Sequence, residues 1–132
     1  MGDLTLLGAK VQGPLKKLEW FPAPKRVGEV VFTTPEFTSL CPKTGQPDFA
    51  TVTITYTPRE RCLESKSLKL YLWTFREKGA FLEQVSSEIL GDVVEALDPL
   101  DCAVELLSNP RGGIALKTTA RYHRQPVEGR GS

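Results

Sequence analysis

Histidine is almost missing from this chain: there is one, His123, in 132 residues. The three cysteines, Cys41, Cys62 and Cys102, are scattered and odd in number. One late histidine and thiols at no paired spacing argue against a zinc ligand set and against a secreted disulfide framework, so no metal is expected. Net charge is also lacking. Seventeen basic residues against 16 acidic leave +1, so no bulk field calls for nucleic acid or an anionic membrane, and any phosphate site has to be local. No apolar run approaches the ~20 residues of a membrane span. The N-terminus lacks a signal-peptide apolar stretch, and Leu6 stands where a myristoylation signal wants a hydroxyl. The cytoplasm is the expected compartment. Neither a Gly-x-Gly-x-x-Gly nor a Walker pattern occurs. What is present suits one globular domain: 40% hydrophobic content and enough length to bury a core without staples.

Residues 1–29 hold four glycines, three prolines and five basic residues, which predicts an irregular arm anchored by Leu18–Pro22. Val30 to Phe37 is rich in β-branched and aromatic residues and predicts a strand. Residues 49–57 alternate, with Val52, Ile54 and Tyr56 on one face and Thr51, Thr53, Thr55 and Thr57 on the other, the pattern of a half-buried antiparallel strand. From Glu64 to Arg76 a period of two groups Leu68, Leu70 and Leu72. A period of 3.6 fits better, with Leu68, Tyr71, Leu72 and Phe75 on one face and Lys66, Lys69 and Arg76 opposite. Ser65 or Ser67 is the expected cap and Gly79 the expected end. A second helix carries Leu82, Val85, Ile89, Val93 and Ala96 on its core stripe and closes at Asp98-Pro99. Ala103–Leu107 and Ile114–Arg121 read as two more strands around the turn 108–113. The tail from residue 123 on is expected to be mobile. Strand, strand, helix, helix, strand, strand predicts an α+β domain of residues 30–122, helices on one face of an antiparallel sheet. Its bare face and open edges favour closure into a ring of copies.

The chemistry centres on Ser39-Leu40-Cys41-Pro42-Lys43-Thr44-Gly45-Gln46-Pro47-Asp48. Pro42, Gly45 and Pro47 make a turn that keeps a thiol near a carboxyl, a pairing suited to a nucleophile and a proton donor. The same residues also suit a small buried thiol and a carboxylate opening a strand.

This segment, with Glu64-Ser65-Lys66-Ser67-Leu68-Lys69, Phe75-Arg76 and Pro110-Arg111-Gly112-Gly113, resembles the NADPH-dependent 7-cyano-7-deazaguanine reductases, the nitrile reductases of queuosine biosynthesis. The resemblance spans about residues 18–120. It implies the tunnelling fold, assembled as a homodecamer of two pentameric rings with active sites between subunits, and NADPH as cofactor. Carried over by position, Cys41 is the nucleophile that forms a thioimide with the nitrile, and Asp48 is the proton donor. Leu63, Glu64, Ser65, Leu82 and Glu83 bind the 7-deazapurine substrate, with Glu83 reading its guanine-like edge. Lys66, Lys69 and Arg111 hold the cofactor. One departure stands out: the family commonly has histidine where this chain has Leu82, which can neither donate a proton nor hydrogen-bond the substrate. Two other readings remain open at this stage: an amidine-forming relative that adds ammonia to the same nitrile on transfer RNA, and a non-catalytic ring that binds a purine-like ligand.

Overall fold

The computed structural model of the chain describes residues 16–125. The expected arm up to residue 15 and the tail from residue 126 lie outside the described residues. In chain order the elements are β1 (Trp20–Pro22), β2 (Val30–Leu40), β3 (Pro47–Thr57), β4 (Arg61–Leu63), α1 (Ser65–Trp73), α2 (Leu82–Leu97), β5 (Asp101–Ser108) and β6 (Lys117–His123). β2, β3, β5 and β6 form an antiparallel sheet in that order, which leaves β2 and β6 at the edges. Alternation along β3 buries Ala50, Val52, Ile54 and Tyr56 beneath the helices and turns the threonines to the other face, which no helix of the described residues covers. The α2 stripe of Leu82, Val85, Ile89, Val93 and Leu97 packs on this side with Val104 and Leu106 of β5. The α+β class expected from periodicity is observed, and the six expected elements keep their order, with the short strands β1 and β4 added.

Several boundaries differ, each for a local reason. The anchoring cluster of the arm is itself a strand: β1 pairs with β4 in a second, two-stranded sheet. A register shift between Thr34 and Phe37 carries β2 past Pro35, since a bulge tolerates a residue that cannot donate. β2 therefore runs to Leu40 rather than stopping at Phe37. Glu64, not Ser65 or Ser67, caps α1, its side chain accepting from the Lys66 and Ser67 amides at 2.8 and 2.7 Å. The helix ends at Trp73 with Thr74 as its cap, not at Gly79, because Thr74 Oγ1 bonds back to the Tyr71 carbonyl at 2.6 Å and the following turns are tighter. α2 does close at Asp98, in left-handed conformation with φ of 47°. β6 starts at Lys117 and not Ile114, because Ile114 instead closes a tight turn with Arg111.

Candidate active site

The β2–β3 connection builds the Cys41 turn from ladder geometry. Ser39 lies opposite Asp48 and Leu40 opposite Pro47. The Cys41 amide then donates to the Gln46 carbonyl at 2.8 Å, and the Gly45 amide donates to the Cys41 carbonyl at 2.8 Å. Gly45 takes a φ of 73°, a conformation that favours glycine. Cross-strand partners share a face and residues two apart share a face. Ser39 and Asp48 therefore stand on the helix-covered side, and Cys41 follows Ser39 onto it. On the free side of β2, the Leu40 amide donates to the Lys78 carbonyl at 3.0 Å and its carbonyl accepts from the Ala80 amide at 3.2 Å. This pairing ties the α1–α2 connection to the thiol turn. α2 starts two residues later, which brings exposed Glu83, in its first turn, to the same end of the sheet.

Cys41 is half-buried and held below the usual thiol range. The main cause is hydrogen bonding from the Thr44 side chain, followed by the Thr44 and Lys43 amides; burial and the Asp48 carboxylate oppose it. Cys102 is the contrast, pushed up to about 12 by burial in the core. Arg111 reaches over from the β5–β6 turn. Its Nη1 lies 2.7 Å from Asp48 Oδ1 and 3.2 Å from the Pro47 carbonyl, and its Nη2 lies 3.4 Å from Gln46 Oε1. Ser39 is 0% exposed, and its hydroxyl has no partner among the described residues.

The remaining expected site residues lie elsewhere. The Leu63 amide donates to the Tyr56 hydroxyl at 2.8 Å, and Tyr56 is eight residues along β3 from Asp48, about 26 Å at the usual strand rise. Leu63 and Glu64 are buried, and Ser65 opens α1 with an exposed side chain. Leu82 is packed in the core and presents nothing to a ligand. Between α1 and the edge strand β2 lies a cavity of about 440 Å³, walled by Phe32, Val52, Leu68, Leu72 and Trp73, with Ser65, Lys69 and Arg76 also lining it. Lys69 and Arg76 thus share a surface with Leu68 and Leu72 rather than standing opposite them. The Arg76 guanidinium lies 5.1 Å from the centre of the Trp73 ring. Within one chain, then, Cys41, Asp48, Glu83 and Arg111 gather at one end of the sheet, and Leu63, Glu64, Ser65 and Lys66 at the other. Ser39 and Thr44 lie in the segment the sequence singles out but have no assigned role there, and Trp73 has none either.

A family model described as QueF-like protein matches residues 47–127. Curated relatives named NADPH-dependent 7-cyano-7-deazaguanine reductase include one from Thioalkalivibrio sulfidiphilus (strain HL-EbGR7), 52% identical over 115 residues, 86% of this chain and 88% of the relative. Another, from Syntrophus aciditrophicus (strain SB), is 50% identical over 126 residues, 94% of this chain and 89% of the relative. The chain belongs to the family of these 7-cyano-7-deazaguanine reductases. Among solved structures, the apo archaeosine synthase QueF-Like aligns with a TM-score of 0.71 over 77% of this chain and 100% of its own, at 24% identity. That likeness shows a shared fold.

Proposed function

We propose that this chain catalyses the reaction for which its relatives are named, the NADPH-dependent reduction of 7-cyano-7-deazaguanine, giving 7-aminomethyl-7-deazaguanine for queuosine biosynthesis. The observation that carries the reading is the thiol of Cys41. It is half-exposed and held low by Thr44, with a carboxyl on the facing strand. A thiolate adds to the nitrile carbon and forms a carbon–sulfur bond, and Asp48 delivers the proton that the nitrogen gains, which leaves a thioimide on Cys41. Glu83, at the same end of the sheet, accepts the N–H donors of the heterocycle. Leu82 supplies no proton, so that work falls to Asp48 and solvent.

NADPH has a chemically suitable seat. The cavity beside α1 combines an aromatic plane with the cations of Lys69 and Arg76, a donor set that fits an adenine ring and a phosphate. Lys66, in the first turn of α1, adds charge on this side, and Arg111, in the other cluster, adds its charge from a neighbouring copy. When bound, the cofactor supplies one hydride per molecule, two for each nitrile.

The separation of the two clusters supports an assembly in which one copy lends Leu63, Glu64 and Ser65 to the Cys41 of the next. The open edges β2 and β6 and the bare threonine face suit such a ring, and the homodecamer of two pentamers is the form we assign. Incubating the protein with the nitrile and NADPH, then weighing both protein and product, tests the proposal. An aminomethyl product and loss of turnover in Cys41→Ala are expected. An amidine formed from ammonia without NADPH, or turnover surviving Cys41→Ala, overturns it.

A further inference from the structure

The geometry points to Arg111 as a residue shared between two anions, the Asp48 carboxylate and a phosphate of the dinucleotide, so that cofactor binding and the Asp48–Arg111 contact oppose each other. The inference rests on the cofactor role of Arg111 given above. In this structure the end of the guanidinium is already engaged. Nη1 serves Asp48 at 2.7 Å and the Pro47 carbonyl at 3.2 Å, while Nη2 reaches Gln46 at 3.4 Å. The Arg111 side chain is 51% exposed and Asp48 24%, so the pair sits at the surface, where an incoming anion meets it without opening the core.

The backbone under Arg111 is closed and the side chain is not. The Arg111 amide donates to the Ile114 carbonyl at 2.9 Å and the Ile114 amide to the Arg111 carbonyl at 3.1 Å, across Gly112 and Gly113, whose φ values are 61° and 81°. A turn pinned in this way leaves side-chain rotation as the route by which the guanidinium changes partner. Two tasks conflict in the resting contact. A carboxyl oxygen that accepts from an arginine is not free to hand a proton to a nitrile nitrogen. A guanidinium held against a carboxylate brings that negative charge close to any phosphate it binds, and like charges repel. Transfer of Arg111 to the phosphate resolves both: the cofactor gains a cation, and Asp48 is released toward Cys41. Asp48 already lies close enough to Cys41 for its charge to work against thiol ionisation, so its release from arginine falls where the proton is needed. No bond is made or broken in this exchange.

Linkage makes the idea measurable, because an interaction that opposes binding strengthens it when removed. The readout is NADP⁺ affinity by calorimetry on the assembled protein, without substrate or turnover. Arg111→Ala is expected to weaken NADP⁺ at least tenfold. Asp48→Asn is expected to tighten it about three- to tenfold, and Asp48→Ser to do the same should the amide variant fold poorly. In the Arg111→Ala background the Asp48 change is expected to have no effect, as a double-mutant cycle requires. If Arg111→Ala weakens NADP⁺ but Asp48→Asn leaves it unchanged or weaker, the exchange is wrong and the cofactor role stands. If Arg111→Ala leaves NADP⁺ affinity intact, the cofactor role of Arg111 falls, and this inference with it.

Discussion

The two ends of the β3 strand each present a carboxylate near the start of a regular element, and they use it in opposite ways. At one end Glu64 is 8% exposed, and both its oxygens are taken by α1 amides at 2.8 and 2.7 Å. Its own amide donates to the Glu19 carbonyl at 2.9 Å, and Ser67 Oγ accepts from the Glu19 amide at 2.9 Å. Among the described residues, no buried side-chain polar atom at this end lacks a partner. At the other end Asp48 and Arg111 meet at the surface, the Cys41 thiol is half-exposed, and the Ser39 hydroxyl is buried without a partner among the described residues. Acids look alike along a chain. What separates a structural acid from a reactive one is whether its lone pairs are already consumed by immobile donors.

The contrast is broken most sharply at the thiol. Cys41→Ala should lower turnover by at least about a thousandfold, the scale expected when a covalent nucleophile is removed, with the melting temperature almost unmoved. Cys102→Ala should keep turnover, because that sulfur lies in the core. A Cys41 variant that loses stability and keeps activity would reverse the assignment of the two ends.

Glu64→Ala should have the opposite character. Loss of a cap costs about 0.5–2 kcal/mol, and a buried, doubly bonded carboxylate belongs at the upper end of that range. Urea unfolding measures it, with Glu64→Gln expected to keep part of the stability through one remaining acceptor oxygen. Unchanged stability in Glu64→Ala would show that α1 does not depend on this cap.

A smaller effect sharpens the chemistry of Cys41. A thiol whose ionisation is favoured by Thr44 keeps its thiolate to lower pH, so iodoacetamide labelling of Cys41 should have its midpoint below the ordinary value of about 8.5. Thr44→Val removes the largest stabilising hydrogen bond of the thiolate and should move that midpoint up. Cys102, at about 12, should stay unlabelled in the folded protein throughout this range. The smallest effect is expected at Ser39. Replacing an unpaired buried hydroxyl by hydrogen relieves a desolvation cost of about 1 kcal/mol or more, so Ser39→Ala should be neutral or slightly stabilising in urea unfolding. A clear loss of stability would mean that the hydroxyl has a partner in the folded protein.

Much of the architecture was legible before folding was considered. The threonine alternation in β3 and the 3.6-residue stripe of α2 name their own faces, because period alone decides which side chains share a surface. The Cys41 turn was legible too, from two prolines and a glycine beside a strand start. Caps and ends were not. Serine is the ordinary choice for an N-cap, yet the longer Glu64 side chain folds back to do this task because Glu19 and Ser67 hold its backbone. Gly79 looked like a helix end, but Thr74 ended α1 first by bonding to the turn behind it.

Residue order alone was enough to set the four long strands, the two helices, the buried faces of β3 and α2, and the thiol–carboxyl turn, since these depend on neighbours a few positions apart. Tertiary structure decided the contacts between distant segments: that Arg111 takes Asp48 across 63 positions, that Leu63 and Cys41 stand beside opposite ends of β3, and that Lys69 and Arg76 share a cavity with Trp73. Those pairings follow from how strands and helices stack in space, and no local periodicity encodes which segment becomes whose neighbour.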